Sequence, residues 1–166
     1  MQKKPETPAG PVVFVIDDDA SVRAAISSLI RSVGLRAEVF ASVSEFLAHK
    51  PSSTTSCLIL DVRLPGVSGL EFQSELAKAN AEIPIIFITG HGDIPMTVKA
   101  MKAGAVEFLT KPFRDQDLLD AIRVALERAR AKDEKDKAVS DLKRKFFEFD
   151  DARKGGHGMD NRRFIE

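Results

Sequence analysis

Short apolar runs alternate with amphipathic helical segments along most of this chain, and the alternation limits the folds it can adopt. The apolar runs indicate five strands, at Val12–Ile16, Ala37–Phe40, Cys57–Leu60, Ile85–Thr89 and Val106–Leu109. Those beginning at residues 12, 57 and 85 are almost continuously apolar, as parallel strands covered on both faces are. Five strand–helix units therefore predict an α/β fold, a doubly wound parallel sheet with helices on both faces.

Helix signals support this alternation. Amphipathic faces recur in three segments: Val22, Ile26, Leu29, Ile30 and Val33; Ile94, Val98 and Met101; Leu118, Ile122 and Leu126. Ser42 and Glu45 have the spacing of a capping box, and Asp93 is placed as an N-cap. Gly34 and Gly104 follow helical patterns, where a left-handed cap residue belongs. Ligands of a doubly wound sheet bind beyond the carboxyl ends of its strands, so functional residues are expected there.

Composition and charge exclude several classes of protein. The 166 residues include 25 Lys+Arg and 25 Asp+Glu, so no basic surplus favours nucleic acid. The single cysteine, Cys57, excludes an intramolecular disulfide and a Cys-based zinc site, and its apolar neighbours predict a buried strand position. No apolar run is long enough to span a membrane, and residues 1–11 do not resemble a signal peptide. We therefore expect a cytoplasmic protein.

Acidic residues follow two of the predicted strands. Asp17, Asp18 and Asp19 come directly after the first strand, and Asp61 follows the third. With strand order 2-1-3-4-5 these two strands are neighbours, so the carboxylates converge. Clustered carboxylates repel one another unless some are protonated or a cation neutralises them, and oxygen ligands favour a hard ion such as Mg²⁺. The alternative is an ordinary turn in which Asp19 caps the next helix.

Two further strand ends add polar groups to the same edge. Thr89 ends the fourth strand with a hydroxyl, and Lys111 follows the fifth with a compact cation. This set suits transfer of a phosphoryl group to a carboxylate: Asp61 attacks, Lys111 and a metal neutralise charge, and Thr89 donates a hydrogen bond. A cis bond before Pro112 would aim the lysine inward.

Three segments, VFVIDDDASVR, CLILDVRLPGVSGLEF and IIFITGHGDIPMTVKAMKAGAVEFLTKPF, closely resemble the receiver domain of two-component response regulators, in its FixJ-like branch. The resemblance covers residues 11–130 and implies a flavodoxin-like or CheY-like fold. It implies that Asp61 accepts phosphate from a sensor histidine kinase and that Thr89 and Lys111 contact the phosphoryl group. The implied ligands of Mg²⁺ or Mn²⁺ are the side chains of Asp17, Asp18 and Asp61 and the backbone carbonyl of Arg63.

Three positions within this pattern bear on signalling. Phe108 stands at the aromatic switch position, where many receivers carry tyrosine, so any switch here lacks a hydroxyl. Arg63 and His91 lie two positions after Asp61 and Thr89, where the side chains of receivers flank the path of attacking water. Both are bulky and can carry positive charge, so we expect them to prolong the lifetime of the phosphoryl group. The alternative is that both side chains point into solvent and leave the lifetime unchanged.

The fifth helix is predicted to continue from about residue 115 to 150. An a/d seam, which needs a partner helix or a fold-back, supports this extension: Val139, Leu142, Phe146 and Phe149. We divide the chain into a flexible N-terminus at 1–10, a receiver domain at 11–130, a helical extension at 131–152 and a mobile tail at 153–166. The extension, or the face formed by helix 4, strand 5 and helix 5, would support a homodimer.

Several functions compete at this point. The residues after 130 are too few for the helix-turn-helix domain usual in this branch, so we expect either a single-domain receiver or a truncated FixJ-like transcription factor. Basic and acidic residues alternate there, so we expect no DNA binding, and output would pass to an unidentified downstream protein.

An Mg²⁺-dependent aspartyl-phosphate phosphohydrolase would need a second acid where Arg63 stands. A flavin-binding flavodoxin would need a phosphate loop that three aspartates oppose. We therefore predict a signalling protein, not an enzyme beyond self-phosphorylation and slow autodephosphorylation.

Overall fold

The computed structural model describes residues 10–49 and 54–154, with side chains as far as residue 147. Its strands are β1 (Val12–Ile16), β2 (Arg36–Phe40), β3 (Ser56–Asp61), β4 (Ile85–Thr89) and β5 (Glu107–Thr110). They form one sheet of order β2-β1-β3-β4-β5, in which every pairing is parallel. The predicted fold class and strand order are therefore confirmed.

Five helices connect and cover the strands: α1 (Ala20–Ser32), α2 (Val43–Ala48), α3 (Gly69–Lys78), α4 (Ile94–Lys102) and α5 (Asp115–Lys154). The predicted caps are present. Ser42 Oγ accepts a hydrogen bond from the Glu45 N–H at 3.1 Å, and Asp93 Oδ1 accepts one from the Met96 N–H at 2.7 Å. Gly34 and Gly104 have φ of +81° and +99°, the left-handed conformation that ends a helix.

The core consists of two apolar layers, one on each face of the sheet. Successive residues of a strand point to opposite faces, so Val13 and Val15 pack with α1 and α5, while Val12, Phe14 and Ile16 pack with the other helices. Strands β1 and β4 are buried along their whole length, as their continuous apolar runs predict. Cys57 is fully buried, and this burial raises the pKa of its thiol to about 12.

Strand ends differ slightly from prediction. Strand β2 begins one residue earlier, β3 gains one residue at each end, and β5 is shifted by one residue toward the C-terminus. The predicted first residue of β5, Val106, lies just outside the strand. Its N–H nevertheless donates to the carbonyl of Ile85 at 2.8 Å, so it already contacts β4.

The predicted buried face of α4 is wrong. Ile94, Val98 and Met101 are 81%, 43% and 40% exposed, whereas Ala100 is fully buried and Met96 packs against the core. The helix therefore packs on the sheet through the side that carries Ala100 and Met96. Its other apolar side, which carries Ile94, Val98 and Met101, faces solvent. Val33, also predicted on a buried face, is 49% exposed because it is the C-cap of α1.

Helix α5 begins at the predicted residue and continues to Lys154, so the first two residues of the predicted tail are helical. Leu118, Ile122 and Leu126 are buried as predicted. The chain divides into two compact units, one ending at Arg130 and the other beginning at Ala131. None of the helices described is long and apolar enough to cross a membrane.

In the second unit, Val139, Leu142 and Phe146 of the predicted seam are 45%, 68% and 64% exposed. The side chain of Phe149 lies outside the described residues. So do residues 1–9 of the predicted N-terminus and residues 155–166 of the predicted tail.

Candidate functional site

Three acidic side chains meet at the carboxyl ends of the two central strands. Asp17 follows β1 and Asp61 ends β3, and pairing of Ile16 with Leu60 places them side by side. Asp17 and Asp61 are buried, whereas the neighbouring Asp18 is exposed. Carboxylate oxygens of the three residues lie within 4.8 Å of one another. The structure thus brings together the acids that the sequence predicted to converge.

Asp19, the third member of the acidic triplet, has a different role. Its Oδ1 accepts hydrogen bonds from the Ser21 hydroxyl at 2.6 Å and from the Ser21 and Val22 N–H groups, so it caps α1. These hydrogen bonds, led by that of the Ser21 side chain, lower the pKa of the Asp19 carboxyl. The capping alternative is correct for this residue, while Asp17 and Asp18 belong to the acidic group.

Lys111 joins the acidic group from the end of β5. Its Nζ lies 2.8 Å from Asp17 Oδ2 and 3.1 Å from Asp61 Oδ2. Although burial opposes the charged form, hydrogen bonds to Asp17 and Asp61 raise the pKa of the Lys111 ammonium. The peptide bond from Lys111 to Pro112 is cis, the geometry considered from the sequence.

Asp61 is held by hydrogen bonds on both of its carboxylate oxygens. Oδ1 accepts from the Arg63 N–H at 3.0 Å, and Oδ2 accepts from Lys111. Burial, supplemented by the charge of Asp17, raises the pKa of the Asp61 carboxyl despite these two donors. The ionised form of Asp61 is therefore disfavoured in this arrangement, as expected where carboxylates crowd together.

The donor set fits a hard divalent cation. The group holds three carboxylates and one ammonium, that of Lys111, which contacts two of them, so negative charge is in excess. Each carboxylate oxygen has lone pairs beyond the bonds described. Oxygen ligands of this kind suit Mg²⁺ and Mn²⁺ equally. The acidic group can therefore hold a metal ion, and its chemistry does not select between these two.

The remaining predicted residues surround this edge of the sheet. Thr89 is fully buried at the end of β4, and its Oγ1 accepts a hydrogen bond from the His91 N–H at 3.2 Å. Phe108 on β5 is half-buried, with its ring centroid 6.0 Å from that of Phe87. Arg63 and His91 are exposed in the loops after β3 and β4. Thus Lys111 contacts Asp17 and Asp61, Asp18 lies within 4.8 Å of these two acids, and the other residues lie on adjoining strands and loops.

Two residues that position the site, Gly69 and Arg23, could not be identified from the sequence. A Cβ at Gly69 would lie 2.5 Å from the Asp61 carbonyl oxygen, so the start of α3 packs directly against the end of β3. The Gly69 N–H also donates to the Val62 carbonyl at 2.8 Å. Arg23 Nη1 donates to the Asp17 carbonyl at 2.7 Å. Neither contact has a local sequence signal, since each joins residues that are brought together by the turn between strand and helix.

Comparison with known proteins identifies the family of this chain. The model for the response regulator receiver domain matches residues 13–123. Nodulation protein W of Bradyrhizobium diazoefficiens is 58% identical over 135 residues, which are 81% of this chain and 60% of that protein. The chain spans about three fifths of the length of the curated relatives that it matches first.

Solved structures agree with the sequence comparison. The response regulator StyR is 49% identical with a TM-score of 0.78, over 83% of this chain and 70% of that one. FixJ-N is 38% identical with a TM-score of 0.64, over 76% of this chain and 96% of that one. The predicted resemblance to FixJ-like receivers is confirmed. With its acidic group at the ends of β1 and β3 and its match over residues 13–123, this chain belongs to the response regulator receiver domain family.

Proposed function

We propose that the protein is the phosphoacceptor response regulator of a two-component system and that Asp61 receives the phosphoryl group from a sensor histidine kinase. The observation that carries this proposal is the contact of Lys111 with both Asp61 and Asp17 at the ends of adjacent strands, in a chain of the receiver family. Each group needed for acyl phosphate formation is then supplied by a strand end.

The transfer is a displacement at phosphorus. An Asp61 carboxylate oxygen forms the new bond to phosphorus while the bond to the kinase's histidine nitrogen breaks, and that nitrogen keeps the electron pair. Lys111 neutralises charge on the phosphoryl oxygens. Thr89 Oγ1 accepts from the His91 N–H, which leaves the hydroxyl proton of Thr89 free to point toward the phosphoryl group.

A divalent metal completes this chemistry. Asp17, Asp18, Asp61 and the backbone carbonyl of Arg63 would hold Mg²⁺ or Mn²⁺, which supplies positive charge for the phosphoryl oxygens. Without it, the excess negative charge of the acidic group repels an incoming phosphate.

Labelling with a small phosphodonor tests the proposal. We expect acetyl phosphate to label the full chain in Mg²⁺, Asp61→Asn to remove the label, and a chelator to prevent labelling of the wild type. Asp93→Asn is the matched control, because asparagine also caps a helix and Asp93 lies at the start of α4. Stoichiometric labelling of the Asp61→Asn protein would refute the assignment.

Output is proposed to pass through protein contacts. Phe108 on β5 is proposed as the switch residue, and Ile94, Val98 and Met101 form an exposed apolar side of α4. That side, with β5 and α5, or the exposed seam of the extension, would pair two copies or bind an unidentified downstream protein. We also propose that residues 11–130 form the receiver domain and that the segments before and after it are appendages.

Two alternative functions, a truncated transcription factor and a phosphohydrolase, would use the same acidic group. A truncated FixJ-like transcription factor would share the site, since the transcriptional regulatory protein FixJ of Azorhizobium caulinodans is 41% identical over 130 residues. A phosphohydrolase is disfavoured, because Arg63 stands where its second acid is needed. We propose that the protein turns over no external substrate and that the described residues bind no DNA. We also propose that it is located in the cytoplasm.

The lifetime of the phosphoryl group is proposed to depend on Arg63 and His91. Both side chains are exposed in the loops that follow Asp61 and Thr89, and the backbone N–H of each is hydrogen-bonded to one of these two residues. Their backbones are therefore fixed beside the site, and we propose that their side chains obstruct an attacking water.

A further inference from the structure

The loop between β4 and α4 lies close against two strands at Gly92. A Cβ built at this glycine would be 3.1 Å from Phe108 Cε1, 3.1 Å from Thr110 Cγ2 and 3.3 Å from Thr89 Cγ2. Ordinary carbon contacts begin near 3.4 Å, so a methyl group would require its neighbours or the loop to shift by a few tenths of an ångström. The absence of a side chain at Gly92 lets the loop touch Thr89 and Phe108 together.

Close approach, and not backbone conformation, explains this glycine. Its φ lies outside the left-handed region, unlike those of Gly34, Gly66 and Gly104. Gly90, two residues earlier in the same loop, has no described atom within 4 Å of a built Cβ. The two glycines therefore differ in the space around them.

The same loop contacts the functional site and a helix. The His91 N–H, adjacent to Gly92, donates to Thr89 Oγ1, and Asp93, on the other side of Gly92, caps the start of α4. The loop thus connects the Thr89 hydroxyl to the first turn of a helix whose Ile94 is 81% exposed. The absence of a side chain at Gly92 allows this loop to lie close to β4 and β5.

We propose that Gly92 is a positioning residue: because it places no side chain against Phe108, Thr110 and Thr89, the loop can lie where the His91 N–H orients the Thr89 hydroxyl toward the phosphoryl group. This inference rests on the proposed phosphoacceptor function. A side chain at Gly92 moves the loop rather than the strands, because Phe108 is backed by the fully buried Phe87, whereas residues 90–93 are exposed. Moving the loop lengthens a hydrogen bond that is already 3.2 Å.

The test compares Gly92→Ala with Gly90→Ala in the full chain. We expect Gly92→Ala to accelerate amide hydrogen exchange of His91 and to slow acetyl phosphate labelling of Asp61 by about fivefold, the effect of losing one hydrogen bond of typical net strength. Gly90→Ala should match the wild type in both measurements.

Rescue separates positioning from a general structural defect. Thr110→Ser removes one of the methyl groups that the Cβ introduced by Gly92→Ala would meet, so adding it to Gly92→Ala should restore part of the His91 protection and of the labelling rate. Unchanged His91 exchange in Gly92→Ala, or equal slowing of labelling by Gly90→Ala, would overturn the inference. If the wild type is not labelled at all, the phosphoacceptor proposal fails, while His91 exchange still decides the role of Gly92.

Discussion

Replacing Asp61 by asparagine should stabilise the metal-free protein, although it removes the proposed phosphoacceptor. Asp61 belongs to a group of three carboxylates, of which Lys111 contacts Asp61 and Asp17, and its neighbours Asp17 and Asp18 repel it. Asparagine has nearly the same shape and keeps an oxygen that can accept from the Arg63 N–H or from Lys111. The substitution therefore removes charge with little change in packing.

The magnitude follows from the distances. At an effective dielectric constant of about 20, two charges within 4.8 Å of each other interact by about 3.5 kcal/mol or more, and two charges 3.1 Å apart by about 5.4 kcal/mol. Repulsion from two acids, one of them exposed and screened, thus nearly offsets the attraction to Lys111. Burial, the largest influence on the Asp61 pKa, then decides the sign. We expect a gain of about 1 kcal/mol, or a rise in Tm of about 3 °C.

The pH dependence follows from the raised pKa of Asp61. A carboxyl whose pKa is higher in the folded state destabilises the fold above that pKa, and this penalty vanishes below the pKa of the unfolded chain. The advantage of Asp61→Asn should therefore be complete at neutral pH and shrink as the pH falls through the folded-state pKa. Lys111→Met should act in the opposite direction, because it leaves the buried Asp17 without this cation.

Thermal and denaturant unfolding in chelator measures these effects, with Asp93→Asn as the control for an Asp to Asn change elsewhere. Saturating Mg²⁺ should stabilise the wild type more than Asp61→Asn and close the gap, since only the wild type offers all three carboxylates. The reasoning is refuted if Asp61→Asn is less stable than the wild type in chelator at neutral pH, or if its advantage does not change with Mg²⁺.

Three further predictions concern other parts of the molecule. Gly69→Ala should destabilise the fold by about 1–3 kcal/mol in chemical denaturation, because its methyl would collide with backbone; unchanged stability would mean that α3 is free to move. The double variant Arg63→Ala, His91→Ala should release phosphate faster than the wild type at matched Mg²⁺, and equal or slower release would exclude shielding. Light scattering of phosphorylated Ile94→Asp and Leu142→Asp should show which apolar face pairs two copies: the variant that stays monomeric identifies it, and dimers from both would exclude the two faces.

The fold and most of the site could be predicted from sequence because both depend on local patterns. Continuous apolar runs identify covered parallel strands, and strand ends identify where Asp17, Asp61 and Thr89 must lie. The roles of Arg63 and His91 remain predictions.

Features that depend on contacts between residues distant in the sequence could not be predicted from such patterns. Helix α4 has apolar residues on two sides, and periodicity does not show that Ala100 and not Val98 faces the sheet. Gln73 illustrates the same limit, since it is buried and its Nε2 donates to the Ala100 carbonyl at 3.1 Å. The close contacts of Gly69 and Gly92 likewise arise only once strand and helix are assembled.

The strand order of the described sheet leaves two edges, β2 and β5, and both edge strands are short and carry charged residues. Strand β5 has four residues and begins with the exposed Glu107, while β2 has five residues and includes Arg36 and Glu38. Short edge strands that carry charge are poor templates for adding a strand from another molecule. Assembly by cross-molecular sheet extension is therefore disfavoured at both edges, so concentrated solutions of this chain should resist fibril formation.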